Sequence, residues 1–202
     1  MPGDDPAAPA APPSALANPQ LSLFGEVETA SAERFLSGLR EAAQDEGDLV
    51  VELTTLGGDA EMARRIVLEI EQVRAMRKGR LLFLGKTVVY SAGISIMSAF
   101  PRADRWLSRD TVLMIHGRTL EKTIELQGPM RASLPQIEAL RAEIENGLRL
   151  EEEGFRRLID GSDIGWDELV QKTAHSWYLT ADEAVERRLV AGIYPAGGDG
   201  AG

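Results

Sequence analysis

The sequence predicts an α/β domain with largely parallel strand pairing. Short apolar, strand-like runs alternate with amphipathic helical runs through the first half of the chain. A Gly-Gly pair follows one strand-like run directly. The 202 residues are 44% hydrophobic, enough for one well-packed domain.

Leu21 to Val27 reads as a short strand. Ala32, Phe35, Leu36, Leu39, Ala42 and Ala43 then recur at helical spacing. Leu49 to Leu53 is the next strand and runs into Thr54-Thr55-Leu56-Gly57-Gly58. Ala63, Ile66, Val67, Ile70 and Val73 mark a second amphipathic helix. Leu81 to Leu84 is a third strand, and the small-residue segment from Ser91 a third helix. Trp106-Leu107 and Val112 to Ile115 are strand-like.

The second half is more helical. Ser133-Leu134-Pro135-Gln136 has the form of a capping box, which predicts a helix from there to about Ile159. Ile137, Leu140, Ile144, Leu148, Phe155 and Leu158 form its apolar stripe. Its other faces carry Glu138, Arg141, Glu143, Glu145, Arg149 and Glu151 to Glu153. On pattern alone this is either a core-facing helix or one that packs on another subunit. Gly161 ends it. Trp166 to Lys172 predicts a short helix, Thr180-Ala181-Asp182-Glu183 opens another, and Leu189 to Ile193 is a last strand. Residues 1–18 and 196–202 read as flexible tails, the first rich in Pro and Ala, leaving 19–195 as the domain. Asp4, Asp5 and the early prolines argue against a signal peptide.

Composition removes several function classes. No apolar run approaches the ~18 residues that cross a bilayer. Cysteine is absent, which excludes thiol nucleophiles, disulfides and thiolate metal sites, and two histidines are too few for a His-rich metal site. The net charge of −10 opposes nucleic-acid binding.

Nucleophilic chemistry survives these exclusions. Ser91 follows a strand-like run and opens a helix, and His116 closes another apolar run, 25 positions on. A serine and a histidine at strand ends are the pieces of an acyl-transfer site. Ser91 also suits a plain helix N-cap, and Ser95 and Ser98 compete with it for the nucleophile's role. Gly57-Gly58 is either a tight turn or an oxyanion donor through the Gly58 N–H, and the Ala92 N–H at a helix start is a second donor.

Taken in order, Gly57-Gly58, Ser91-Ala92-Gly93, Met114-Ile115-His116 and Trp177-Tyr178-Leu179-Thr180-Ala181-Asp182-Glu183-Ala184-Val185 resemble the ClpP family, the proteolytic subunits of ATP-dependent Clp proteases. The resemblance spans about residues 20–195 and singles out Ser91 by its spacing from His116. It implies a crotonase-like spiral of βα units with a protruding strand–helix handle at about 117–160. It implies a serine endopeptidase that cleaves unfolded polypeptides, with Ser91 as nucleophile, His116 as general base, and Gly58 and Ala92 as oxyanion donors. It further implies a cytoplasmic homo-oligomer of two stacked heptameric rings, fed by a hexameric ATP-driven unfoldase of the ClpX or ClpA kind. No cofactor or metal is expected in this chain; ATP belongs to the unfoldase.

Several positions depart from the family pattern. The family's acid, usually Asp, falls at Ser176, a hydroxyl without the charge that steadies an imidazolium. His175 is adjacent, and Asp182 or Glu183 are alternatives that also suit a helix N-terminus. Leu56 and Thr55 replace Pro and Ser before the glycines. Lys86 to Tyr90 is about two residues longer than usual, and Gly117 to Ala132 about ten longer. Alternatives to a peptidase are a catalytically weak or silent ClpP-like structural subunit and a crotonase-fold acyl-CoA enzyme.

Overall fold

The computed structural model describes residues 11–195. Its centre is a mixed sheet, parallel in every pair but one. The first three strands are β1 (Leu21–Phe24), β2 (Leu49–Thr55) and β3 (Leu81–Tyr90). They alternate with α1 (Thr29–Ala42) and α2 (Ala60–Met76), and α3 (Ala92–Ser98) follows β3 at once. Then come β4 (Arg105–Leu107), β5 (Val112–Ile115), α4 (Met130–Ile159), α5 (Trp166–Thr173), β6 (Trp177–Thr180), α6 (Ala181–Glu186) and β7 (Gly192–Ile193). The spatial order is β1-β2-β3-β4-β7, while β5 pairs with β3 and, antiparallel, with β6.

The central strands are buried on both faces, as near-continuous apolar runs in a parallel sheet require. Leu49, Val51, Leu53, Leu81 and Phe83 face the main core, which α1, α2 and α3 cover. Val50, Leu82, Leu84 and Trp106 face the other way. There they meet Leu16, 1% exposed, from a single 3-10 turn at Ser14–Ala17. The flexible tail expected through residue 18 therefore fails at its end, because Leu16 seals the second face of the sheet. The rest of that expectation, residues 1–10 and 196–202, lies outside the described residues.

β3 is longer than the four apolar residues predicted, and its length decides where the site lies. Its first half pairs with β2 and β4, through Phe83↔Arg105 to Gly85↔Leu107. Its second half pairs with β5, through Val88↔Val112 to Tyr90↔Met114. Between the halves β3 advances from Gly85 to Val89 while β2 advances only from Leu53 to Thr55. Two extra residues bulge out there, with Thr87 at φ 60°, and the Lys86 carbonyl accepts from Thr54 Oγ1 at 2.8 Å. The extra length noted before Ser91 is this bulge. Beyond it β3 pairs with β5, and β5 in turn with β6.

α4 begins at Met130, three residues ahead of the predicted cap, and carries Pro135 inside its early turns. Ser133 is thus not the cap. Pro135 lacks the N–H that Arg131 O would accept, and the exposure of this end leaves that carbonyl to water. Only Phe155 and Leu158 of the helix are buried. The strand expected at the start of the handle is missing: Gly117 to Pro129 has no strand to pair with and runs without regular structure. The last predicted strand shrinks to Gly192–Ile193, with Leu189 and Val190 buried in the turn before it. The Thr180 capping box forms as expected: Thr180 Oγ1 accepts from Glu183 N at 3.2 Å and Glu183 Oε2 from Thr180 N at 2.7 Å. Among the described residues no helix is long and apolar enough to cross a membrane, and no His/Asp/Glu cluster could hold a metal ion.

Candidate active site

The parallel pairing of β3 with β5 brings Ser91 and His116 to one edge. Ser91 N donates to Met114 O at 2.9 Å, fixing the end of β3 beside the end of β5. Ser91 itself sits at φ 52° and ψ −109°, a conformation that costs a non-glycine residue about 1–3 kcal/mol. The helix that follows is locked in place, since six of the seven residues of α3, all but Ser95, are buried. Strain of this kind persists only where the surroundings enforce it, and here it lifts the hydroxyl out of the strand direction.

The Gly57-Gly58 turn approaches from β2. Thr55, buried at the end of that strand, accepts from Gly57 N–H through Oγ1 at 3.0 Å. Val27 N donates to Gly57 O and Asp59 N to Val27 O, clamping the turn on both sides of Gly58. Both glycines have positive φ, 119° and 137°, and a Cβ on Gly58 would lie 2.3 Å from Val27 O. Asp59 caps α2 by accepting from Glu61 N and Met62 N. The Gly58 N–H has no acceptor among the described residues, and neither has that of Ala92, the first residue of α3.

Ser91, His116, Gly58 and Ala92 line one cavity of about 200 Å³, floored by Ile115 and Phe155 and bordered by α4 at Leu150 and Glu151. Four of the five residues expected in the site therefore meet. Ser95 also reaches this cavity, one turn into α3. Ser98 does not compete, because it is buried and its Oγ donates to Ser95 O at 2.7 Å.

The fifth expected residue stands apart. The antiparallel register Ile115↔Trp177 places Ser176 across from His116, one step beyond the last pair. At that step the backbone turns over, with Ser176 at φ 61°, and the residue is exposed and outside the cavity lining. No hydrogen bond joins Ser176 to His116 among the described residues, and none joins Ser91 Oγ to His116. Instead His116 Nδ1 lies 2.6 Å from Gly117 O. A carbonyl only accepts, so the neutral ring carries its proton on Nδ1 and leaves the Nε2 lone pair free. Glu183 is committed to the α6 cap, where the Thr180 backbone N–H holds its carboxyl below the usual range. His175 is exposed.

Two residues that matter here were not singled out from the sequence. Glu151 accepts from Arg118 N through Oε2, and the Arg118 guanidinium pairs with Glu61 at the start of α2. The chain leaving His116 is thereby tied to α4 on one side and to the helix after Gly58 on the other. Arg105, 1% exposed, donates to five carbonyls: Phe100, Ser98, Arg157, Leu158 and Leu189. Burial pushes its guanidinium down to about 10, so it remains charged at neutral pH. It fastens the end of α3 to the end of α4.

A ClpP1 point mutant from Listeria monocytogenes shares this fold: the TM-score is 0.68 over 86% of this chain and 89% of that one, at 19% sequence identity. The chain thus has a ClpP-like α/β fold. No family model and no curated protein sequence matches it.

Proposed function

We propose that the chain is a serine endopeptidase of the ClpP kind. The observation that carries this reading is the convergence of a strained Ser91, a His116 with a free Nε2, and two unpaired N–H groups on one cavity. In the proposed cycle Ser91 Oγ attacks the scissile carbonyl carbon and His116 Nε2 takes the hydroxyl proton. The N–H groups of Gly58 and Ala92 hold the oxyanion. The C–N bond then breaks, the amine departs with the proton from His116, and water hydrolyses the Ser91 ester by the same route. A fluorophosphonate is expected to label Ser91 in the assembled protein and to leave Ser91→Ala unlabelled. Absence of labelling in the folded wild type overturns the reading.

The second reading, a catalytically silent structural subunit, draws on one observation: Ser176 supplies neither charge nor contact to His116. The labelling experiment separates the two. In either case self-association is expected. α4 presents Met130 (89% exposed), Leu134 (61%) and Ile137 along its stripe with nothing covering them in the single chain. Native mass spectrometry is expected to show rings, two stacked heptamers on the family pattern, and monomer at all concentrations counts against assembly. Unfolded polypeptide substrates, a cytoplasmic setting and an ATP-driven unfoldase of the ClpX or ClpA kind belong to the same proposal. No cofactor is assigned to the chain.

A further inference from the structure

We infer that Glu151 of α4 supplies, through the Gly117–Arg118 peptide, the negative charge that Ser176 does not. This rests on the peptidase reading of Ser91 and His116.

The carbonyl that receives His116 Nδ1 and the N–H that Glu151 receives belong to one peptide group. Gly117 O lies 2.6 Å from His116 Nδ1, and Arg118 N donates to Glu151 Oε2. Glu151 lies close along the whole unit: a Cβ on Gly117 would stand 3.1 Å from its Oε2. The result is a continuous chain, imidazole to carbonyl, amide to carboxylate. Each hydrogen bond in such a chain polarises the next, by about 10–30% per bond. A carboxylate on the N–H end draws the amide proton and leaves more negative charge on the carbonyl oxygen. That oxygen faces the ring that must become cationic when Ser91 gives up its proton.

The surrounding charges fit this role. The Arg118 guanidinium, next along the chain, is engaged by Glu61. Glu151 is thus left to act on the backbone. The preceding His116–Gly117 peptide is anchored too, because Gly117 N donates to Thr173 O at 3.3 Å. Glu151 does not touch the substrate or the reacting atoms, so it is a positioning residue. No proton passes along the peptide. The proton of Ser91 moves to His116 Nε2, and the relay only steadies the cation that forms.

The chain has two histidines, so 15N-histidine labelling of the full-length protein gives two imidazole spectra, assigned with His175→Gln. The neutral His116 ring is expected in the Nδ1–H tautomer in the wild type. Glu151→Gln keeps an acceptor for Arg118 N–H and removes the charge. It is expected to raise the Nε2–H population and to slow fluorophosphonate inactivation by about tenfold at unchanged half-saturating probe concentration. Glu151→Asp, which keeps the charge, is expected to lie closer to the wild type in both readouts. A wild-type ring in the Nε2–H form overturns the inference whether or not any variant folds. So does a Glu151→Gln protein that matches the wild type in tautomer and rate. If the tautomer responds as stated while wild-type Ser91 stays unlabelled, the relay stands and the peptidase reading falls.

Discussion

Gly57 and Ser91 pack back to back: a Cβ on the glycine would lie 2.9 Å from Ser91 Cβ and 3.4 Å from its Oγ. The position of Ser91 is therefore set from β2 as well as from its own turn. Gly57 is also at φ 119°, where an L side chain is strained. Gly57→Ala is expected to cost about 1–3 kcal/mol in thermal unfolding. It should displace the hydroxyl as well. Reacting groups moved by about 1 Å lose on the order of 100-fold in rate, so fluorophosphonate labelling of Ser91 should fall by that factor. Cooperative unfolding with unchanged labelling would show that the contact does not position Ser91.

Arg105 tests whether α4 and α3 act as one body. Arg105→Met fills similar space and strips five carbonyls of their donor. Each buried acceptor left unpaired costs about 1–3 kcal/mol, so a loss of at least ~3 kcal/mol is expected after partial relaxation. Arg105→Lys, with one compact ammonium in place of a planar fork, should recover less than half of it. Denaturant unfolding measures both, and a loss below about 1 kcal/mol would contradict the clamp.

Glu69 gives the fold a defined acid response. It is buried on α2 and takes Arg40 of α1 at 2.6 Å and Arg65 at 2.6 Å. The Arg40 hydrogen bond, reinforced by Arg65 against the opposing effect of burial, holds its carboxyl below the ordinary 4.5. The native state thus binds its proton more weakly than the unfolded state. The stabilisation is complete above the ordinary value and disappears as pH falls through the lowered one. Both guanidinium groups reach solvent, which limits the effect. Glu69→Gln is expected to cost about 1 kcal/mol at pH 7 and nothing once the wild-type carboxylate is protonated. Two unfolding curves that stay parallel down to pH 2 would refute this.

The parts legible in the sequence are those written in local pattern. The alternation of apolar strands and amphipathic helices gave the α/β class. Ser91, His116, Gly58 and Ala92 could be paired because each stands where a strand ends, and strand ends gather at one sheet edge. The 3-10 turn at Leu16 was hidden because a single leucine among Pro and Ala carries no period. α4 started early because Pro135, a usual stop signal, is tolerated in an exposed first stretch. Glu151 was indistinguishable from its neighbours Glu152 and Glu153 in a charged run. Its role depends on a contact 33 positions away in sequence, with an irregular segment whose path no pattern specifies. Arg105 was not singled out for the same reason: its five partners come from three separate stretches of chain.

Ser176 then poses the sharpest question about the site. Placing an acid there, Ser176→Asp, is expected to raise the rate of Ser91 labelling by orders of magnitude if position 176 governs His116, since a triad acid contributes about 10⁴ elsewhere. The geometry argues for a much smaller effect. Aspartate tolerates the φ of 61° at this position, so the change should not unfold the turn. But the side chain is exposed, and the Nδ1 proton it would need already belongs to Gly117 O at 2.6 Å. A new carboxylate must displace a hydrogen bond that Glu151 strengthens from behind. A gain below about threefold in the wild-type background is therefore expected, with a larger gain when Ser176→Asp is combined with Glu151→Gln. Rates of fluorophosphonate inactivation for the four proteins of this cycle measure the coupling directly. A large gain from Ser176→Asp alone would return the acid's place to position 176 and leave Glu151 with no part in the chemistry.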